Sequence, residues 1–78
     1  MSQHTLDARR LLCPLPVIRT QNAAKKLKPG DTLAVTCSDP GAESDIPAWS
    51  RIHGHKVLEI KHDSDADELV ITIEIGEA

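Results

Sequence analysis

Seventy-eight residues, 40% of them apolar and with a net charge of −3, make one domain over residues 1–78, with little room for a deep pocket enclosing a large cofactor. Phe and Tyr are absent and Trp occurs once, so the core must come from Leu, Ile, Val and Ala. No stretch is long and apolar enough to span a membrane, and Met1-Ser2-Gln3-His4-Thr5 lacks the basic start and apolar run of a signal peptide; a cytoplasmic chain is expected, with Cys13 and Cys37 as thiols.

Near the start, Thr5-Leu6-Asp7-Ala8 alternates and reads as a first strand. A helix follows with Pro14 at its first position, where the missing N–H costs nothing. On a 3.6-residue wheel Val17, Thr20, Ala23, Ala24 and Leu27 form the core-facing stripe. Leu15 and Ile18 fall outside that stripe, as do Arg19, Asn22, Lys25 and Lys26. Lys28-Pro29-Gly30-Asp31 ends the helix and turns the chain. Thr32 to Cys37 then alternates, with Leu33, Val35 and Cys37 facing in.

Asp39 is the expected N-cap of a second helix with Ala42, Ile46, Trp49 and Ile52 on its apolar face and Gly54 as its stop. Pro47 predicts a kink or a restart near Asp45. Lys56–His62 and Leu69–Ile75 are two further strands, joined by the acidic loop Asp63-Ser64-Asp65-Ala66-Asp67. In these strands Leu58 and Ile60, then Leu69, Ile71, Ile73 and Ile75, should face in. Helices that follow strands favour parallel pairing, and the last hairpin must be antiparallel. The order β-α-β-α-β-β therefore predicts an α/β (α+β) two-layer sandwich, a four-stranded mixed sheet with two helices on one face.

Charge divides the chain. Through Gly30 six basic residues face one acid, Asp7; from Asp31 onward three basic residues face eleven acids. Such a dipole suits steered docking to an acidic protein surface. No aromatic residue lies near the basic segment to stack on bases, which argues against direct nucleic-acid binding.

The segment that carries chemistry is Cys13-Pro14-Leu15-Pro16, at the junction of the first strand and helix. A thiol at a helix N-terminus sits among unpaired N–H groups and the positive end of the dipole, which lowers its pKa. Pro14 and Pro16 fix φ and stiffen the turn, and Arg9 and Arg10 add positive potential. A lone Cys is otherwise a small buried hydrophobe, and Pro near a helix start is common on conformational grounds alone.

Leu6-Asp7-Ala8-Arg9-Arg10-Leu11-Leu12-Cys13-Pro14-Leu15-Pro16, the Lys28-Pro29-Gly30-Asp31 turn, and Ser38-Asp39-Pro40 followed by Asp45-Ile46-Pro47-Ala48-Trp49 together resemble the TusA family of sulfur carriers, over nearly the whole chain. The resemblance implies four mixed strands with two helices on one face. It implies that Cys13 accepts a persulfide sulfur from a cysteine desulfurase and relays it to an acceptor protein, in the best-understood branch for 2-thiouridine formation in tRNA. Related members serve molybdenum-cofactor maturation and sulfur oxidation. No metal or organic cofactor is required. The chain departs from the family pattern at Arg10, where Gly is usual, and at Ser50, where many relatives have Cys. If the usual Gly serves a positive φ, Arg10 strains the turn or the turn differs.

Other residues carry weaker signals. Cys37 points inward beside Val35 and reads as core, with a resolving role the alternative if it shares a sheet edge with Cys13. His53 and His55 read as a surface turn, since no cluster completes a metal site. Trp49 anchors the second helix; Asp7 either orients the turn before Cys13 or makes a strand-end hydrogen bond. Arg10, Leu15, Ile18, Arg19, Lys25 and Lys26 form the expected partner-docking surface, an apolar pair rimmed by positive charge. Two rivals remain: a regulatory or nucleic-acid-binding module using the basic helix, and a thiol redox protein using Cys13 and Cys37.

Overall fold

Apolar alternation of period two in the second and fourth strands sets the frame on which everything else is hung. In the computed structural model, which describes residues 2–12 and 14–76, the elements are β1 Gln3–Ala8, α1 Leu15–Ala24, β2 Thr32–Cys37, α2 Ala42–Ile52, β3 Lys56–Asp63 and β4 Glu68–Glu74. The sheet order is β1-β2-β4-β3. β1 and β2 run parallel, linked by α1, and β4 is antiparallel to both β2 and β3. The expected four-stranded mixed sheet with two helices is the observed one.

Leu33, Val35 and Cys37 of β2 and Leu69, Ile71 and Ile73 of β4 enter one core with Ala24 of α1 and Ala42, Ile46 and Trp49 of α2. Their strand neighbours Ala34, Thr36, Val70 and Thr72 are only half-buried, as the alternation requires. Each fully buried branched side chain contributes roughly 1.5–3 kcal/mol relative to exposure, so the two central strands carry much of the stability.

Several elements differ from the expectation. Strict alternation turns Leu58 and Ile60 of β3 inward; instead Val57 and Ile60 pack on the core and Leu58 is 46% exposed. A β-bulge between Val57 and Glu59 inserts the extra residue that lets side chains three apart share a face. Ile52 is 79% exposed, because α2 ends there and the chain turns away towards Gly54. Pro47 does not break α2 into two pieces: it is buried inside one continuous helix. Asp39 does not cap α2; its carboxylate accepts the Gly41 N–H (3.1 Å), and Gly41 is the N-cap. α1 begins one residue later than expected, with Pro14 as N-cap and Pro16 in the first turn. It also ends earlier, at Ala24. The chain then tightens as Lys26 N–H donates to the Ala23 carbonyl and Leu27 N–H to the Ala24 carbonyl, before Leu27 reaches the core.

The pole where β2 begins and β4 ends is tied down by Asp31, a buried acid. Its carboxylate accepts the N–H groups of Ser2 (3.0 Å) and Lys28 (3.1 Å), and these bonds hold its pKa below the usual value. Its backbone carbonyl takes the Ile75 N–H (2.8 Å), and Gly30 donates back to the Ile75 carbonyl (2.9 Å). The chain start, the α1–β2 turn and the end of β4 are thus joined at one residue.

Candidate functional site

Cys13 lies outside the described residues, so the site is defined by what brackets it, Leu12 on one side and Pro14 on the other.

The approach to the thiol begins at the end of β1. There the Asp7 carboxylate accepts the Arg9 backbone N–H (3.0 Å) and the Arg9 guanidinium (2.9 Å at both Nε and Nη2). Those bonds bring the Asp7 carboxyl down to about 2. Arg9 also reaches Glu68 on β4 (3.5 Å), so its charge is compensated and adds little of the positive potential expected of it. Asp7 therefore orders the turn after β1. Arg10 follows at φ 65°, in the left-handed region, with its N–H donated to Ser38 Oγ (2.8 Å). For a residue with a Cβ this conformation costs roughly 1–2 kcal/mol. Leu11 then packs against the core while Leu12 is 74% exposed.

Past Cys13, Leu15 N–H closes onto the Leu12 carbonyl (2.8 Å), and Ile18 N–H onto the Pro14 carbonyl (3.2 Å). Among the described residues no side chain caps α1 and no acid stands in its first turn. Pro16 is fully buried and its carbonyl accepts Thr20 Oγ1 (2.7 Å), which seats the first turn on the core.

Of the expected docking residues, Leu15 and Ile18 are each 44% exposed and Arg19 is exposed beside them. Leu12 joins this patch; its position next to Cys13 was the signal available in the sequence. Lys25 and Lys26 are exposed but stand past the other end of α1, about 10 Å along the axis from Ile18 at 1.5 Å per residue.

Cys37 pairs with Ala8 in the parallel β1–β2 ladder and is fully buried. Burial pushes its thiol up to about 11, with Asp39 adding to the shift. It is a core side chain and a poor thiolate. Ser50 is likewise buried, donating to the Ile46 carbonyl (2.8 Å). His53 lies exposed in the turn after α2 and half-buried His55 follows it, and both rings pack against Trp49, at 5.4 and 5.0 Å between centroids. Among the described residues no group of three His, Cys, Asp or Glu side chains could hold a metal, and no helix is long and apolar enough to cross a membrane.

A family profile described as Sulfurtransferase TusA matches residues 4–75. The chain belongs to the TusA family. It is 42% identical over 64 residues to YrkI of Bacillus subtilis, covering 82% of this chain and 85% of that protein. It is 37% identical over 71 residues to NMA0882 of Neisseria meningitidis, covering 91% and 96%. Both relatives are named as candidate sulfur carriers. A SirA-like protein from Desulfitobacterium hafniense has the same fold, with a TM-score of 0.81 at 24% identity, covering 95% of this chain and 99% of that one. Within this TusA chain, the segment from Asp7 to Pro16 is where strain, exposed apolar side chains and an uncapped helix start meet.

Proposed function

We propose that this chain is a sulfur carrier that holds a sulfane sulfur on Cys13 and relays it between proteins. The observation that supports this most is the uncapped N-terminus of α1, immediately after Cys13 in sequence, in a chain of the TusA family. A helix start with no side-chain cap and no acid in its first turn favours the thiolate, and favours the persulfide anion in the same way. The transfer is thiolate attack on the outer sulfur of the donor's persulfide. The Cys13 sulfur forms the new S–S bond, the donor's own S–S bond breaks, and the donor leaves as its thiolate. The same attack by an acceptor thiolate on the outer sulfur then releases Cys13. Neither direction needs an external oxidant or reductant.

The donor in this reading is a cysteine desulfurase and the acceptor a downstream relay protein in the cytoplasm, with 2-thiouridine formation in tRNA as the end use. Leu12, Leu15 and Ile18 supply the apolar contact that each transfer complex buries, and Arg10 and Arg19 the adjacent charge. Incubation with a cysteine desulfurase and L-cysteine, followed by intact mass and peptide mapping, tests it. A Cys13→Ser variant should gain no sulfur. A binding module that uses the basic helix would keep its activity in that variant.

A further inference from the structure

Arg10 occupies a backbone conformation that glycine adopts freely and that a side chain makes unfavourable. A position of that kind holding arginine calls for a use of the side chain that offsets the strain. The backbone is committed, through its N–H, to Ser38 Oγ (2.8 Å). The exposed Arg10 stands at a polar cleft of about 480 Å³ that Asp7, Arg9, Ser38 and Glu68 also line. Both carboxylates of that cleft are already engaged by Arg9, and none of the ion pairs among the described residues includes Arg10. The cleft adjoins the turn that leads through the exposed Leu12 into Cys13.

We infer that Arg10 is a recognition residue whose guanidinium pairs with a carboxylate on the protein that exchanges sulfur with Cys13. The inference rests on the carrier reading above. A guanidinium presents a planar fork that takes a carboxylate through two parallel N–H bonds, so an Asp or Glu at the partner's rim is the chemistry it fits. The bond from the Arg10 N–H to Ser38 Oγ (2.8 Å) ties down the backbone from which the arginine side chain extends.

Three variants separate charge from strain. Arg10→Gly removes both, Arg10→Asn removes the charge with a residue that tolerates the left-handed region, and Arg10→Lys keeps a charge in the strained backbone. The probe is a cysteine desulfurase charged with L-cysteine, read as the second-order rate of sulfur acceptance at low and high salt. Arg10→Gly should raise the melting temperature by roughly 4–8 °C. It should slow acceptance by roughly 5- to 10-fold at low salt, with the gap closing at high salt. Arg10→Asn should slow acceptance equally, and Arg10→Lys, which keeps the charge but not the planar fork, should recover only part of the rate. Alkylation of Cys13 by iodoacetamide, a neutral reagent that pairs with no guanidinium, should change far less than the acceptance rate in Arg10→Gly and Arg10→Asn. Acceptance by Arg10→Gly at the unmodified rate overturns the inference alone, as does a slowing that salt leaves unchanged. If the unmodified chain itself never gains sulfur, the carrier reading falls and this inference falls with it.

Discussion

At the pole where β1 and β2 end, the chain holds Arg10 in the left-handed region and leaves Leu12, Leu15 and Ile18 open to solvent. At the pole where β2 begins and β4 ends, Asp31 gathers three segments and Gly76 lies against the Gly54 carbonyl. One pole keeps apolar surface and backbone strain in the residues that flank Cys13 in sequence; the other is closed by backbone contacts and buried acceptors. Stability is made at the second and given up at the first. A carrier must expose its reactive end to successive partners, so the opposite end and the central strands have to supply the margin.

The heaviest loss should come from the closed pole. A Cβ at Gly76 would overlap the Gly54 carbonyl oxygen, a backbone atom that has no rotamer to move. Gly76→Ala should therefore cost about 1–3 kcal/mol in urea unfolding. Little effect there would mean that the end of β4 is not fixed as described.

The open pole should respond in the other sense. Leu15→Ser with Ile18→Ser removes exposed apolar surface and should change stability by less than about 1 kcal/mol, while slowing sulfur transfer by about tenfold. Thermal unfolding and the transfer rate, measured on the same preparation, check both halves. Unfolding of the double variant would place these side chains in the core.

A smaller effect concerns His55. Its Nδ1 accepts the Gly76 N–H (3.0 Å), so the neutral ring carries its proton on Nε2. Burial, with His53 adding, holds its pKa below the usual value. The folded pKa being lower than the unfolded one, this contribution is intact above about pH 6.5 and is lost as pH falls through that value towards the folded pKa. Melting temperatures between pH 7.5 and 5.5 should fall more steeply for the unmodified chain than for His55→Gln. Parallel slopes would contradict the assignment.

Much of this was legible in the residues. β2 and β4 alternate strictly, which fixed their faces, and Ala42, Ile46 and Trp49 fixed the inner side of α2. Leu58 was misplaced because a bulge changes strand parity without leaving a mark in composition; the apolar pair Val57 and Ile60, three apart, was the signal. Ile52 matched the wheel but sits where the helix runs out of sheet to cover. At the site, the exposed pair on α1 followed from periodicity, and the strain at Arg10 from the residue type usual there. Arg9's pairing with Glu68 and the buried role of Asp31 depend on contacts 59 and 29 residues away, which no local pattern encodes.

Which thiol carries the sulfur separates the carrier reading from its rivals in one experiment. After incubation with a cysteine desulfurase and L-cysteine, the intact chain should gain one sulfur, about 32 Da, and peptide mapping should place it on Cys13, with Cys37 unmodified because its buried thiol is pushed up to about 11. Sulfur on Cys37, or equal loading of the two cysteines, would overturn the assignment of Cys13.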